Sequence, residues 1–157
     1  MANVLLDTNI YGKIIADAEG IALVEKMVPD NKFIIHNFRL IRDELRKAPG
    51  ILRVYDKLVK GEMIQENKRI GELAKQYFTE YKINGGVKNW KSIGNDFKIV
   101  ACASLYNFDL IFSDDEKTLK HARAINAYKI INLKRKIRTP TFYTYRDLKR
   151  SFLTGNS

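Results

Sequence analysis

Short apolar runs separated by polar segments recur along the chain, and they predict β-strands. Each run is too short for a buried helix and is followed by residues that favour a turn or the start of a helix. The first run, for example, ends at Asp7-Thr8-Asn9, which suits a turn into a helix. The predicted strands are Ala2–Leu6, Phe33–His36, Leu110–Ser113 and Tyr128–Leu133.

Apolar residues at helical spacing predict α-helices between these strands. The stripe is clearest in residues 62–81, where an apolar side chain recurs every three or four positions. Asn37 and Asn95 are predicted to cap the helices that follow them, and Pro49-Gly50 and Asn84-Gly85-Gly86 are predicted to end helices. The predicted helices cover residues 8 to about 28, 38–47, 51–60, 62–81, 96–106 and 116–127.

Strands that alternate with helices predict an α/β fold with a mainly parallel sheet and helices on both faces. The length of 157 residues suits a single domain, residues 1–157. We expect the essential motifs within residues 2–133 and a C-terminal extension over 134–157. The tyrosines and basic residues of that extension either pack across the domain or contact RNA or protein.

The composition excludes several classes of protein. Cys102 is the only cysteine, which excludes an internal disulfide, and its apolar neighbours predict a buried structural thiol. His36 and His121 are the only histidines, so neither a His/Cys zinc site nor a histidine-based triad is easily assembled. The sequence has no apolar stretch of membrane-spanning length and no signal-peptide core, and we therefore expect a cytoplasmic protein.

The formal net charge of +10 favours a polyanionic partner such as RNA. A basic surface that is merely solvated is the alternative, and charge alone does not decide between the two. Trp90, in a segment predicted to be a loop, is either a packing anchor or a platform on which a base stacks.

Acidic residues follow two predicted strands at their carboxyl ends. Asp7 follows the first strand, and Asp114 and Asp115 follow the strand 110–113. Open α/β sheets gather their ligand sites at this edge, so neighbouring parallel strands would bring these acids together. Taken singly, each aspartate has a structural alternative as a turn or cap residue.

Two further acids belong to predicted helices. Glu44 is placed by helical spacing within the apolar stripe of its helix, close to Leu40, where a glutamate is rare unless it is paired or bound to a metal. Asp96 is predicted in the first turn of an apolar, buried helix, where the helix dipole also favours an acid. A salt bridge for Glu44 and a purely structural role for Asp96 are the alternatives.

Electrostatics connects these acids to a metal. At ~4 Å and an effective dielectric of about 20, a pair of carboxylates repels by about 4 kcal/mol. Several converging acids therefore require a cation, and oxygen ligands favour Mg²⁺ or Mn²⁺ over zinc. Such ions can activate water for phosphodiester hydrolysis without a catalytic histidine.

The motifs resemble those of the PIN-domain family, which includes the VapC-like toxins of toxin–antitoxin pairs. Their order and spacing match over residues 2–133. The matching segments are Val4-Leu5-Leu6-Asp7-Thr8-Asn9, Asp43-Glu44-Leu45, Asn95-Asp96 with the apolar run to Ala103, and Leu110-Ile111-Phe112-Ser113-Asp114-Asp115.

The resemblance implies a three-layer α/β/α fold with about five strands and Mg²⁺- or Mn²⁺-dependent endoribonuclease activity. It also implies a homodimer and, for a toxin, an antitoxin partner. Asp115 is favoured over Asp114 as the fourth acid, because Ser113-Asp114-Asp115 resembles the family's Thr/Ser-x-Asp motif. The catalytic, metal-binding and supporting positions implied are Asp7, Glu44, Asp96 and Asp115, with Thr8, Asn9 and Ser113 lining or bracing the site.

Three other classes of protein are alternatives to this interpretation. A PIN-like module that binds RNA or protein without cutting is the main alternative. A haloacid-dehalogenase-like phosphatase needs a second acid where Asn9 stands. A receiver-like phosphoacceptor domain needs an aspartate at the end of a middle strand, where the chain has His36-Asn37.

Overall fold

A computed structural model describes residues 1–153, which form a five-stranded sheet with every strand parallel to its neighbours. The strands are β1 (Ala2–Leu6), β2 (Phe33–Phe38), β3 (Lys60–Ile64), β4 (Leu110–Phe112) and β5 (Thr141–Tyr143). Their order across the sheet is β3-β2-β1-β4-β5. The prediction of a mainly parallel sheet of about five strands is confirmed.

Helices cover the sheet to form three layers. One group comprises α5, α6 and α7, which pack on one another, and a second group is built from α1, α2, α4 and α8. The bounds are α1 (Thr8–Ala16), α2 (Gly20–Met27), α3 (Arg39–Leu45), α4 (Pro49–Leu58), α5 (Lys68–Ile83), α6 (Trp90–Leu105), α7 (Ala122–Lys134) and α8 (Tyr145–Leu153).

The central strand β1 positions the predicted acids. Its last three residues, 4–6, are fully buried between the helical layers, as the apolar run predicts. β1 pairs with β4 so that Leu6 lies beside Phe112, and the backbone N–H of Asp7 donates to the carbonyl of Phe112 at 2.9 Å. Asp7 and Ser113 consequently leave the same edge of the sheet side by side.

The strand predicted at residues 128–133 is wrong, because this segment belongs to helix α7. Ala124, Ala127 and Tyr128 are buried at helical spacing, and this pattern overrides the strand preference of Tyr128 and its isoleucine neighbours. The helix predicted over 116–127 actually begins at Ala122, after His121, whose side chain accepts from the N–H of Arg123.

The last strand lies instead in the C-terminal segment, which is an integral part of the sheet rather than an appendage. β5 pairs with β4, and the N–H of Ser113 donates to the carbonyl of Tyr143 at 2.8 Å. An edge strand needs fewer apolar residues than a central strand. The three residues of β5 therefore show no clear apolar run in the sequence.

The sequence pattern also does not predict the edge strand β3, because the helices predicted over 51–60 and 62–81 include residues 60 and 62–64. Its sequence Lys60-Gly61-Glu62-Met63-Ile64 is mostly polar, and its pairing with β2 shifts register between His36 and Phe38. Helix α5 therefore begins only at Lys68, where the side chain of Asn67 accepts from the N–H of Ile70.

Several predicted helix ends also need correction. The stretch 8–28 is two helices, interrupted at residues 17–19. Asn37 is not a cap: it lies in β2, and its side chain accepts a 2.7 Å hydrogen bond from the hydroxyl of Tyr55. Pro49 does not end a helix but begins α4, at the first position, where proline's missing N–H has no consequence.

Helix α6 begins earlier than predicted, which changes the setting of Asp96. Asn89 caps the helix by accepting from the N–H of Ser92, so Asn95 is not a cap and Asp96 lies in the second turn. Gly94 is buried within the helix, directly under the ring of Trp90. A Cβ at this position would lie only 2.8 Å from the ring, so only glycine fits without a shift. This glycine serves close packing, although in the sequence it resembles a loop residue.

Other individual predictions agree with the structure. Cys102 is buried, and burial raises the pKa of its thiol. His36 stacks on Phe108 with ring centroids 4.1 Å apart, as expected if a strand-end histidine packs against the core rather than acting as a catalytic base. Within residues 1–153, none of the helices is both long and apolar enough to cross a membrane. Cytoplasmic localisation stays a prediction.

Candidate functional site

Asp7 is the most buried acid of the chain's described part, with 4% of its surface exposed. It is the N-cap of α1, where one carboxylate oxygen accepts from the N–H of Thr8 at 2.8 Å and the other from the hydroxyl of Ser113 at 2.7 Å. Burial raises the pKa of Asp7 to about 6, against the lowering effect of these two hydrogen bonds; the charges of Asp115 and Glu44 raise it further. A nearby cation would therefore stabilise the ionised form of Asp7.

Asp96 shares this electrostatic environment. Burial raises the pKa of Asp96 to about 7, and the next largest cause is the negative charge of Asp7. A hydrogen bond from Thr118 lowers this pKa, whereas the charges of Asp115 and Glu44 raise it. The charges of Glu44 and Asp115 thus act on both buried acids, although the four residues come from distant parts of the chain.

Asp115 is held by the loop that follows β4. Its N–H donates to the hydroxyl oxygen of Ser113 at 3.0 Å, and its carboxylate accepts from the N–H of Thr118 at 2.9 Å and from the Thr118 hydroxyl. Ser113, which is fully buried, consequently links Asp7 and Asp115 through one hydroxyl group.

Asp114 is directed elsewhere. Its carboxylate forms a 2.6 Å ion pair with Lys13 on α1 and accepts from the backbone N–H of Tyr145 at the start of α8 at 2.9 Å. Its own N–H donates to the side chain of Asn9 at 3.4 Å. Asp114 is therefore occupied in joining α1 and α8 to the loop, whereas Asp115 interacts with Asp7 and Asp96.

Glu44 is exposed rather than buried, which corrects the prediction from its helical stripe. The core-facing side of α3 is formed by Leu40, Ile41 and Leu45, and Glu44 lies beside it. Its carboxylate accepts a 2.6 Å hydrogen bond from the hydroxyl of Thr8, directly after Asp7. It borders an acid cleft of about 610 Å³, lined by Thr8, Leu40, Asp43, Glu44, Lys47, Glu66 and Asn95.

Comparison with known proteins identifies the fold. No protein-family model and no curated protein matches the sequence. A solved structure of VapBC2 from Rickettsia felis, bound to a DNA fragment from its promoter, matches with a TM-score of 0.55 and 16% identity, covering 90% of this chain and 98% of that one. VapBC-1 from nontypeable Haemophilus influenzae matches with a TM-score of 0.59 and 13% identity, covering 92% and 98%. The chain has a PIN-like fold.

The acids of this PIN-like fold are chemically suited to Mg²⁺ or Mn²⁺. All four present carboxylate oxygens, and none forms an ion pair with a lysine or arginine within residues 1–153. As placed, no group of three or more His, Cys, Asp or Glu side chains in this range is arranged to hold a metal ion. The donor chemistry fits the predicted ions, and metal binding stays a prediction.

One contributor to the candidate site, Thr118, is not among the residues predicted from the sequence. Thr118 interacts with both Asp115 and Asp96, and it orients the loop between β4 and α7. Its position three residues after Asp115 was an available signal, because an aspartate that accepts from the N–H at i+3 is a common turn pattern.

Proposed function

We propose that the chain is a metal-dependent endoribonuclease that hydrolyses RNA phosphodiester bonds at a site containing Asp7, Glu44, Asp96 and Asp115. What supports the proposal is the repulsion that the buried carboxylates of Asp7 and Asp96 experience from the other acids of the set. Asp7 and Asp96 have a raised pKa because they are buried and face other acids. A divalent cation offsets this cost, and a basic chain with a net charge of +10 attracts RNA to it.

The proposed ligands have distinct roles that follow from their surroundings. Asp7, Asp96 and Asp115 would hold Mg²⁺ or Mn²⁺, and Glu44 would complete the set from the exposed rim. When bound, such an ion supplies Lewis-acid stabilisation of phosphate charge and lowers the pKa of water. The hydroxyl of Ser113 fixes the positions of Asp7 and Asp115 relative to each other. Less reorganisation of these acids would then be needed when a metal ion binds.

Thr8 and Thr118 serve as positioning residues in this proposal. The hydroxyl of Thr8 holds the carboxylate of Glu44, which is otherwise free to rotate on an exposed side chain. Thr118 holds Asp115 and also interacts with Asp96. These hydrogen bonds restrict the orientations of Glu44 and Asp115, which favours a preorganised site.

The solved VapBC complexes support a more specific proposal, namely that the chain is the toxin of a toxin–antitoxin pair. An antitoxin partner, a homodimer and a cytoplasmic location are parts of that proposal. The alternative is a PIN-like module that binds RNA or protein without cutting it.

Cleavage of a labelled, structured RNA in the presence of Mn²⁺ or Mg²⁺ tests the proposal. We expect cleavage by the wild type that stops on addition of EDTA and in Asp7→Asn and Glu44→Gln. Asp43→Asn is the matched control, because Asp43 lines the same cleft but pairs with Arg46 and is not one of the four acids. Wild-type protein that binds RNA but cuts none of several substrates with either metal would favour the non-catalytic alternative.

Titration calorimetry with Mn²⁺ provides a readout that is independent of cleavage. The wild type and Asp43→Asn should bind the ion, and Asp7→Asn and Asp96→Asn should bind it at least tenfold more weakly. Equal affinity in all four proteins would exclude these acids as the ligands.

A further inference from the structure

A second groove lies beside the acid cleft on the helical layer formed by α5 and α6. It has a volume of about 770 Å³ and is open to solvent. Lys68 and Lys75 of α5 and Lys98 and Trp90 of α6 line it, together with a single carboxylate, that of Glu72. Its excess of positive charge contrasts with the acids of the neighbouring cleft.

The groove and the acid cleft meet at one ion pair. Glu66 lines the acid cleft, and its carboxylate lies 3.2 Å from the ammonium group of Lys98, which lines the groove. Asn95 lines the cleft from the same helix as Lys98, three positions earlier, and such residues are neighbours on a helix surface. An extended chain in the cleft beside Glu44 can therefore pass over Glu66 and Lys98 directly into the groove.

We propose that this groove binds the single-stranded RNA that flanks the scissile phosphodiester bond. Lys68, Lys75 and Lys98 contact its phosphates, and one base stacks on Trp90. The inference rests on the proposed nuclease function, because it is the acids that make RNA the substrate.

The lysines of the groove are available to phosphate. Lys98 and Glu66 keep 28% and 42% of their side chains exposed, and Lys68 and Glu72 are 3.8 Å apart with 90% and 58% exposed. Exposed ion pairs of this kind contribute little free energy. Phosphate oxygens can accordingly replace either carboxylate as the partner of its lysine.

Trp90 is rigidly held yet partly exposed. Its ring meets that of Phe78 at 5.5 Å in an edge-to-face contact and packs over Gly94, which fixes its orientation. The ammonium group of Lys75 lies 5.2 Å from the ring centroid. Stacking of a base on an aromatic ring is stronger than an exposed cation–π contact, so a base displaces Lys75 towards the phosphates.

The chemistry of the groove selects nucleic acid over a peptide. Apart from Trp90 and Gly71, its lining consists of polar and charged side chains, so it lacks the apolar centre typical of protein interfaces. Cations for the backbone combined with an aromatic ring for the bases are the usual components of single-strand binding sites.

Trp90 is the only tryptophan, so its fluorescence reports on this groove alone. The wild-type protein in EDTA is titrated with an oligouridylate of about ten nucleotides, within the usual size range of single-strand sites. A parallel titration uses inorganic polyphosphate, which offers the charge without the bases. We expect saturable quenching by the RNA and a much smaller change with polyphosphate.

A matched pair of double variants tests the lysines. Lys68→Gln/Lys75→Gln alters the groove, and Lys26→Gln/Lys57→Gln removes the same charge from exposed lysines of α2 and α4. By fluorescence anisotropy we expect the groove variant to bind the oligonucleotide at least fivefold more weakly than the control. The slope of log affinity against log salt should fall by about 1.4, since each phosphate contact to a single strand contributes ~0.7.

The outcomes separate the subsite from the nuclease. RNA binding without a change in Trp90 fluorescence, equal affinity of the two double variants, or no RNA binding at all would each overturn the subsite. A protein that cleaves RNA but shows one of these results keeps the nuclease function and loses the subsite. Quenching with the expected loss of affinity, in a protein that cuts no RNA, keeps the subsite and overturns the nuclease.

Discussion

The hydroxyl of Ser113 donates a 2.7 Å hydrogen bond to the carboxylate of Asp7, although 106 positions separate the two residues in the chain. The same hydroxyl oxygen accepts from the N–H of Asp115. A single buried side chain therefore sets the relative position of two of the four acids. This arrangement depends on β1 and β4 being parallel neighbours, since only then do their carboxyl ends lie together.

Replacing Ser113 with alanine should weaken metal binding more than it weakens the fold. The change removes a hydrogen bond that lowers the pKa of Asp7 and leaves the N–H of Asp115 without its acceptor. We expect Mn²⁺ affinity to fall roughly tenfold and the free energy of unfolding to fall by about 1–3 kcal/mol. Calorimetry and urea denaturation measure the two effects. Ser92→Ala, in the exposed first turn of α6, is the control and should change neither affinity nor stability appreciably.

The metal-free protein should lose stability as pH rises from about 4 to about 8. Asp96 has a pKa of about 7 in the folded protein against an ordinary value of 3.8, so the folded state holds its proton where the unfolded state has released it. Stability is thus highest below the unfolded pKa and declines until the folded pKa is passed. Asp7, with a pKa of about 6, contributes in the same direction.

Asp96→Asn should therefore stabilise the metal-free protein at about pH 8, by on the order of 2 kcal/mol, and should flatten this pH dependence. Urea denaturation in EDTA across the pH range measures both effects. A variant that is less stable than the wild type at high pH, or an unchanged pH profile, would show that Asp96 carries no electrostatic strain.

Asp114 and Asp115 should differ sharply when each is replaced with asparagine. Asp114→Asn weakens the ion pair with Lys13 and the contact with the start of α8, and it should lower stability by about 1 kcal/mol while metal affinity changes little. Asp115→Asn should reduce Mn²⁺ affinity at least tenfold. Comparison of the two variants by calorimetry and thermal denaturation tests the assignment. Loss of metal binding in Asp114→Asn alone would reverse it.

Gly94→Ala should destabilise the protein even though alanine favours helices. A Cβ at this position would come 2.8 Å from the ring of Trp90, so the ring or the helix must move. We expect a net loss of on the order of 1 kcal/mol, because overpacking costs about 1–3 kcal/mol and helix propensity returns at most about 1 kcal/mol. Gly12→Ala in α1, where nothing lies within 4 Å of the added carbon, should instead be neutral or stabilising. Denaturation curves for both variants measure the difference, and equal effects would refute the packing role of Gly94.

The sequence predicts the central part of the fold better than its edges. β1 and β4 are buried strands with clear apolar runs, and Asp7 and Asp115 follow from the ends of those runs. β3 and β5 lie at the edges of the sheet, where one side needs no apolar residues, so their patterns are weak. In the segment 128–133 the error is the reverse, because a strand is predicted where the structure has a helix. Its residues favour strands, but the buried positions of α7 recur at helical spacing.

The site residues divide along similar lines. The supporting role of Ser113 is what the resemblance of its motif implies, and its position at the end of a strand is predicted within a residue. Glu44 and Asp96 belong to helices, where burial depends on the helical face and capping depends on the boundary. The burial predicted for Glu44 is wrong because the buried stripe of α3 consists of Leu40, Ile41 and Leu45, and Glu44 lies beside it. The first-turn position predicted for Asp96 is wrong because α6 begins at Trp90.

The hydrogen bond from Ser113 to Tyr143 and that from Tyr145 to Asp114 have a consequence for folding. Asp7 and Asp115 are far apart in the chain, and β5 and α8, which fasten the loop of Asp115, lie C-terminal to both. Contacts between such distant segments form late, because the entropy of closing a long loop must be offset before they stabilise the chain. A partly folded chain therefore lacks the assembled acids, and whatever reaction they support begins only when the whole sheet has formed.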